Sequence, residues 1–178
     1  MIDSANNTLT LHLGNIVECE VDAIVSAANN LLMSGSGVNG AIHRAAGPEL
    51  LQECQTLGGC PTGEARLTRG YRLKSPWVIH TVGPRWYGGS REESKVLAHC
   101  YQSCLAIARE YGLKRLAFPS ISTGAYRFPV DLAADIALKT LRQGLREGYA
   151  QEIQIILFDQ DTYDTYQRIW AELEGSLL

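Results

Sequence analysis

The sequence predicts an α/β fold in which a largely parallel sheet is covered by helices on both faces. Six short apolar segments of strand character alternate with five segments of helical periodicity. Strands separated by helices usually pair in parallel, and parallel sheets are buried on both faces. A chain of 178 residues can bury one sizeable core, so we expect a single domain over 1–178.

Glycine and proline delimit the predicted elements of the first half. Apolar–polar alternation over 8–13 is typical of a half-buried strand, and the apolar run 23–26 is typical of a fully buried one. Gly58-Gly59-Cys60-Pro61 ends the helical region that follows. The predicted strands are 8–13, 23–26, 64–69 and 77–82, and the predicted helices are 38–46 and 49–57.

The second half begins after Gly83-Pro84, which ends the fourth predicted strand. A long helical periodicity stops at Gly112, a residue that suits a helix C-terminus, and Pro129 stands where the next helix can begin. The predicted helices here are 91–111, 130–145 and 162–174, and the predicted strands are 116–119 and 153–158.

The composition argues against nucleic-acid and membrane partners. Sixteen basic and 19 acidic side chains give a net charge of −3, so there is no strong signal for binding a nucleic-acid backbone. No apolar run approaches the roughly 20 residues that span a bilayer, and the N-terminus lacks a signal-peptide pattern. We therefore expect a cytoplasmic protein without a membrane partner, and we expect it to be a monomer.

The five cysteines predict free thiols. Their odd number and low density fit a reducing compartment and argue against a disulfide framework. Cys100 and Cys104 lie one helical turn apart and could share a zinc ion, but no CxxC pair or histidine at ligand spacing accompanies them. We predict no metal and no cofactor, and we expect the cysteines to be buried as small hydrophobic residues.

A glycine-rich loop between a strand and a helix is the strongest functional signal. Gly35, Gly37 and Gly40 let the backbone turn sharply and approach a ligand closely. Unpaired N–H groups at the start of the following helix favour an anion. Asn29 and Asn39 flank the loop with amides that can bond hydroxyl groups. The loop therefore predicts a ligand in which a phosphate is joined to a sugar.

A second glycine-containing loop, 120–128, follows a later strand. Its segment Ser122-Thr-Gly-Ala-Tyr126 offers two hydroxyls and successive N–H groups, which can surround an anion without a lysine. Each loop alone could be a tight connection. Both follow strands, however, and ligands of open α/β sheets bind at the carboxyl ends of the strands. We therefore expect the two loops to face one crevice.

Common nucleotide and hydrolase motifs find little support. Gly35-Ser-Gly-Val-Asn-Gly40 matches the GxGxxG pattern, but it begins too far after its strand for a dinucleotide-binding fold, which disfavours hydride transfer. The chain contains neither a GxxxxGK[ST] nor a GxSxG motif. These observations argue against a P-loop nucleotidase and a serine hydrolase.

Two histidines and three aromatic residues have both structural and functional interpretations. His43 and His80 could act as acid or base, although a lone histidine is more often a structural hydrogen-bonding residue. Tyr126, Phe128 and Phe158 could be core residues, but each lies near the carboxyl end of a predicted strand. An aromatic ring at that position can stack on a base or cap a sugar.

Several motifs together resemble the macro domain family, and within it the MacroD-type class. The resemblance extends over nearly the whole chain, and its motifs are highly specific in combination. They are Leu13-Gly-Asn-Ile16, Asp22-Ala-Ile-Val25, Ala27-Ala-Asn29, Gly37-Val-Asn-Gly-Ala-Ile-His-Arg-Ala-Ala-Gly47, Thr62-Gly-Glu-Ala65, Ile79-His-Thr-Val-Gly-Pro84 and Pro119-Ser-Ile-Ser-Thr-Gly-Ala-Tyr126. The resemblance implies a three-layer α/β/α sandwich with a mixed, mostly parallel central sheet and a deep cleft that binds ADP-ribose.

The resemblance also implies a role for each residue at a matching position. The expected ligand-binding residues are Asn15, Ile16 and Phe158 at the adenine, Gly37, Val38, Ser122, Thr123, Gly124, Ala125 and Tyr126 at the diphosphate, and Asn29, Asn39 and Tyr126 at the distal ribose. The three residues at the distal ribose are also the candidate catalytic residues.

Four positions depart from the family pattern. Arg127 stands in the second loop where a small residue is often found, and it could contact a phosphate or point into water. The other three bear more directly on recognition and catalysis. Asn15 stands where the family usually has Asp, so it can still accept the adenine amino hydrogen but without charge assistance. Ser26 replaces a usual Asn and reaches less far. Asn39 replaces the Asp of hydrolytic members, and an amide cannot serve as a general base at neutral pH.

Two functions therefore stay open at this point. The first is hydrolysis of ADP-ribosyl esters, either on acidic side chains of ADP-ribosylated proteins or in O-acetyl-ADP-ribose, by a water held by Asn29, the loop backbone and a substrate phosphate. The second is a non-catalytic reader of ADP-ribose, which the replacement of acids by amides favours. Dephosphorylation of ADP-ribose 1″-phosphate suits the same cleft but has no specific residue in its support.

Overall fold

A computed structural model describes residues 2–3 and 7–176, and in this part of the chain a seven-stranded sheet carries helices on both faces. The strands are β1 (Ile2–Asp3), β2 (Asn7–Leu13), β3 (Ala23–Ala27), β4 (Ala65–Arg69), β5 (Trp77–Thr81), β6 (Arg115–Phe118) and β7 (Glu152–Leu157). The helices are α1 (Gly37–Ala46), α2 (Pro48–Thr56), α3 (Glu93–Glu110), α4 (Val130–Arg146) and α5 (Gln160–Gly175), with a short 3₁₀ helix at Ile16–Glu18. None of these helices combines the length and the apolar character needed to cross a membrane.

The strand order is β1-β2-β7-β6-β3-β5-β4. The inner strands β2, β7, β6, β3 and β5 run parallel, whereas β1 and β4 pair antiparallel at the two edges. The parallel strands are joined by helical crossovers, while the short connection from β4 to β5 allows an antiparallel hairpin. The predicted α/β fold with a mixed, mostly parallel sheet is confirmed.

The central strands are buried on both faces, and this divides the core into two layers. On β3, Ala23 and Val25 pack into the larger layer beneath α3, α4 and α5, and Ile24 between them packs into the smaller layer beneath α1 and α2. On β6, Phe118 packs into the larger layer and Ala117 into the smaller one. Successive side chains of a strand point to opposite faces, so a continuous apolar run such as 23–25 supplies both layers at once.

Local hydrogen bonding explains where the structure departs from the sequence-based boundaries. The 3₁₀ helix at Ile16–Glu18 follows Asn15, whose side-chain oxygen accepts the Val17 N–H at 3.2 Å. The helix predicted from 91 begins only at Glu93, because Glu92 adopts a left-handed conformation with φ of 57°. Neither the single 3₁₀ turn nor the two-residue strand β1 is long enough to produce a hydrophobic period in the sequence.

Four of the five cysteines are buried and Cys19 is half-buried, and all five are free thiols. Burial raises the pKa of the Cys54 and Cys100 thiols to about 11, so both are protonated at neutral pH. A protonated thiol is a poor nucleophile and a poor metal ligand. Within the described residues, no group of three or more His, Cys, Asp or Glu side chains is arranged to hold a metal ion.

His80 lies in the smaller core layer and is inaccessible to solvent. Its Nε2 atom is 2.8 Å from the Thr68 hydroxyl, and its ring centroid is 6.5 Å from that of His43. Burial, with a smaller contribution from His43, lowers the pKa of His80 to about 3. The imidazole is therefore neutral in the folded protein at physiological pH.

This buried imidazole is expected to make stability fall in acid. The pKa in the folded state lies below the usual 6.5, so as the pH drops through 6.5 the unfolded chain gains a proton that the folded protein excludes. The contribution of His80 to the free energy of unfolding is fully present above pH 6.5. It decreases as the pH falls toward 3, by up to about 1.4 kcal/mol per pH unit. Urea unfolding across this window should show a shallower pH dependence for His80→Gln.

The matched control for that measurement is His99→Gln, which removes an exposed histidine of α3. The control should keep the pH dependence of the original chain. Equal slopes for the original chain and His80→Gln would mean that the buried imidazole does not couple folding to pH.

Candidate functional site

A cleft of about 640 Å³ opens at the carboxyl ends of the parallel strands. Its walls are formed by 14–16 after β2, 27–29 after β3, 119–126 after β6 and 156–159 around the end of β7, together with the loop that leads into α1. This is the edge of an open α/β sheet at which ligands are expected. The volume is typical of a site for a small organic molecule.

The first glycine-rich loop folds back onto the helix that it precedes. Gly40 in the first turn of α1 lies so close to the Gly35 carbonyl oxygen that a Cβ atom at position 40 would overlap it. Gly37 begins the helix with a φ of 60°, and Ser36 provides no side-chain cap. The N–H groups of 37–39 therefore have no acceptor within the described residues, and they are available to a ligand in the cleft.

The second loop presents another row of N–H groups to the same cleft. Ser122 adopts a left-handed conformation with φ of 67°, and the turn is closed by the Phe128 N–H, which donates to the Ser122 carbonyl oxygen at 2.9 Å. None of the N–H groups of 122–126 donates to an acceptor in the part of the chain that the structure describes. Successive unpaired N–H groups form an anion-binding concavity.

Two contacts from outside this loop hold its conformation. The Ser120 hydroxyl accepts hydrogen bonds from the Thr123 hydroxyl at 2.8 Å and from the phenol of Tyr166 on α5 at 2.9 Å. Gly83, just after β5, packs so closely against the Ser122 hydroxyl that any side chain at position 83 would overlap it. The loop is thus fixed by α5 on one side and by the backbone after β5 on the other.

Two asparagine amides converge at one end of the cleft. The Gly35 N–H donates to Asn39 Oδ1 at 2.6 Å, and Asn39 Nδ2 approaches the Ser26 hydroxyl at 3.4 Å. Asn29 exchanges two hydrogen bonds with the backbone of Met33, at 2.9 and 3.0 Å. A carboxamide has two donor hydrogens and can accept two hydrogen bonds, so each amide keeps hydrogen-bonding capacity for a ligand.

The opposite end of the cleft carries an exposed aromatic ring. Phe158 follows β7 and is 78% exposed, which is unusual for so large an apolar side chain. Asn15 and the buried Ile16 stand nearby in the cleft wall after β2. The arrangement leaves one face free for a flat ring to stack.

Few charges line the cleft. Among the described lining residues, only Arg44 and Asp159 carry a charge. The Asp159 carboxylate caps α5, where it accepts the N–H and the hydroxyl of Thr162 at 2.8 and 3.0 Å. No carboxylate therefore stands beside Asn39 to take a proton. Neutral dipoles supply most of the polar groups that a ligand would meet.

The structure brings all twelve predicted ligand-binding residues into this cleft. The functional interpretation of three other residues is not supported by their positions. His43 and His80 are buried outside the cleft wall, and Phe128 is buried against Trp86, with ring centroids 4.8 Å apart. Their burial favours the structural interpretation of all three.

Sequence reasoning missed several lining residues, namely Ser36, Arg44, Gly83, Ser120, Asp159 and Thr162. Asp159 and Thr162 could have been found from the helix-cap pattern that opens α5. Gly83 could not, because its role depends on a loop almost forty positions further along the chain.

Comparison with known proteins gives a consistent result. Residues 25–137 match the family model described as Macro domain. A macro domain-containing protein of Methanosarcina mazei is 49% identical over 161 residues, which cover 90% of this chain and 86% of that protein. The Oceanobacillus iheyensis macrodomain with ADP superposes with a TM-score of 0.93 and 39% identity, covering 98% of this chain and 96% of that one.

A second solved structure, from another organism, is also similar. The Trypanosoma brucei macrodomain in complex with ADP-ribose has a TM-score of 0.84 and 42% identity, covering 90% of this chain and 68% of that one. The family model and the identity to these relatives agree with the motifs and with the fold. The chain belongs to the Macro domain family.

Proposed function

We propose that the cleft binds ADP-ribose. The observation that carries this proposal is the pair of N–H rows, from 37–39 and 122–126, that line one cleft without protein acceptors. A diphosphate is an anion with oxygens enough to accept from both rows. The solved macrodomains with ADP and with ADP-ribose support the assignment, since they share this fold.

The two ends of the cleft suit the two ends of this ligand. The exposed ring of Phe158 offers a stacking face for adenine, beside Asn15 and Ile16. The amides of Asn29 and Asn39 offer donors and acceptors to ribose hydroxyls at the other end. In this proposal adenine lies near the end of β7 and the distal ribose near the start of α1.

The proposed chemistry is hydrolysis of ADP-ribosyl esters, on acidic side chains of proteins or in O-acetyl-ADP-ribose, as expected of a MacroD-type protein. A water bonded to Asn29, the loop backbone and a substrate phosphate attacks the ester carbonyl carbon or the anomeric carbon. Attack at the carbonyl carbon breaks the acyl C–O bond, and the ribose oxygen leaves and takes up the proton that the water has given to the phosphate. Attack at the anomeric carbon, where the ester oxygen is bound to that carbon, breaks the bond between the two atoms. The carboxylate then leaves, and the phosphate keeps the water proton. Asn39 orients the ribose, while Tyr126 in the second loop caps it. Without a carboxylate base, turnover is expected to be slow.

A reader of ADP-ribose without catalysis is the second candidate. One observation favours it: within the described lining residues, the sole carboxylate, Asp159, is occupied in capping α5. Binding by N–H groups and amides does not require a base, so every contact of the first proposal is kept in the second.

The stacking role of Phe158 can be tested by calorimetric titration with ADP-ribose. Phe158→Ala should weaken affinity by about fivefold or more, because stacking of a base on an aromatic ring contributes roughly 1–3 kcal/mol. The ring is exposed, so the melting temperature should hardly change. Tyr111→Ala removes an exposed ring just after α3 and should leave ADP-ribose affinity unchanged. Equal affinities for the two variants would exclude stacking.

Hydrolase and reader are separated by Asn39→Asp. A carboxylate at this position could act as a base, and a positioned base contributes roughly 10²–10⁴-fold to rate. In a hydrolase that lacks its base, release of ADP-ribose from glutamate-linked ADP-ribosylated protein should therefore rise by about a hundredfold or more. Gln52→Glu makes the same amide-to-acid change on the exposed face of α2 and should not alter the rate.

The original chain is assayed beside both variants. Slow release by the original chain together with a strong rise in Asn39→Asp supports the hydrolase. ADP-ribose binding without detectable release by the original chain or by Asn39→Asp supports the reader. Equal, detectable rates of release by the original chain and Asn39→Asp would show that position 39 is not where a catalytic base is missing.

A further inference from the structure

A second cavity, of about 350 Å³, adjoins the cleft and shares Gly83 and Tyr126 with it. We call it the arginine pocket, after Arg85 and Arg91 in its wall. It lies outside the twelve residues assigned to ADP-ribose, apart from Tyr126. If the proposed function is correct, Tyr126 separates the distal ribose from this pocket.

Aromatic rings hold both guanidinium groups of the arginine pocket. The Arg85 guanidinium carbon lies 4.7 Å from the ring centroid of Tyr126, and that of Arg91 lies 4.0 Å from the centroid of Tyr87. Stacking on a ring favours one orientation of a guanidinium and leaves its edge N–H donors free. Neither arginine forms an ion pair within the described residues. Both guanidinium groups therefore remain available to an anionic ligand, because Glu93, the one carboxylate among the described residues of the pocket wall, accepts backbone N–H groups instead.

The carboxylate in the pocket wall is already occupied. Glu93 is buried, and it accepts the backbone N–H groups of Tyr87, Gly89 and Arg91. Burial raises the pKa of this carboxyl, but the three N–H groups outweigh burial, so the pKa lies below its usual range and the group is ionised. These bonds fix the backbone of the 87–91 segment, which carries Tyr87 and Arg91.

We propose that the arginine pocket receives acidic residues that flank the ADP-ribosylated side chain of a protein substrate. This rests on the proposed function, because it places the group attached to the distal ribose on the far side of Tyr126. Arginine forks match the geometry of carboxylates and bind them with two parallel hydrogen bonds. The pocket has roughly half the volume of the cleft, and its charged groups are side chains rather than backbone N–H rows.

The test compares two ADP-ribosyl peptides of equal length in which a stable amide linkage replaces the ester. One carries glutamates on both sides of the modified residue, and the other carries glutamines. The original chain should bind the acidic peptide about threefold to tenfold more tightly at low salt, as expected for two partly exposed ion pairs. The preference should shrink at high salt, since exposed charges are screened.

The variant that removes the cations is Arg85→Gln combined with Arg91→Gln, which should bind both peptides equally. The matched control is Arg109→Gln, which removes an arginine of α3 stacked on Tyr149 at 4.7 Å and away from both cavities. The control should keep the preference. The readout is the ratio of the two peptide affinities on each protein, so a general loss of ADP-ribose affinity does not mimic the expected result.

Titration with free ADP-ribose separates the two proposals. A chain that does not bind it contradicts the proposed function, and the arginine pocket proposal falls with it. A chain that binds ADP-ribose but has an affinity ratio of one, or keeps its preference without the two arginines, overturns only the pocket proposal. An ADP-ribose dimer that binds more tightly than the acidic peptide, by contacts with the two arginines, would also overturn it.

Discussion

The unpaired N–H groups at the carboxyl end of the sheet are the constraint on which the rest of the site depends. A buried donor without an acceptor costs roughly 1–3 kcal/mol, so a fold keeps such groups only where water or a ligand can reach them. Here the close approach of Gly40 to Gly35 and the left-handed Ser122 hold the two rows open. In the proposed function, loops held in this way lose less conformational entropy when ADP-ribose binds.

The sequence was sufficient for the parts of the molecule that local patterns determine. A few neighbouring residues are enough to recognise such features. Examples are the buried run 23–26, the glycines of the first loop and the hydroxyls of the second. Gly83 and Ser122, by contrast, are far apart in the chain. They meet because β3 lies between β5, which precedes Gly83, and β6, which precedes Ser122. From the sequence, Glu93 is an ordinary acidic residue in the first turn of α3. Its three backbone N–H partners depend on the fold of the preceding loop, which the sequence did not predict.

Charge is distributed unevenly between the two cavities. Most polar groups of the cleft are backbone dipoles and amides, and Arg44 is the only cation among its described lining residues. The arginine pocket has two cations and one carboxylate in its described wall, and Tyr126 lines both cavities. Dipoles fixed in the backbone lose little on binding, whereas exposed cations respond to salt. Recognition of the nucleotide and recognition of whatever carries it would therefore differ in their dependence on ionic strength.

The Ser120 hydroxyl joins the second loop to the C-terminal helix through Tyr166, a residue that does not line the cleft. Any ligand that orders 122–126 also favours the state in which Tyr166 is docked, and the coupling acts equally in the reverse direction. Fraying of the last helix would consequently lower affinity for a molecule that Tyr166 never touches. Binding of a ligand in the cleft should therefore increase the protection of α5 backbone amides from hydrogen exchange.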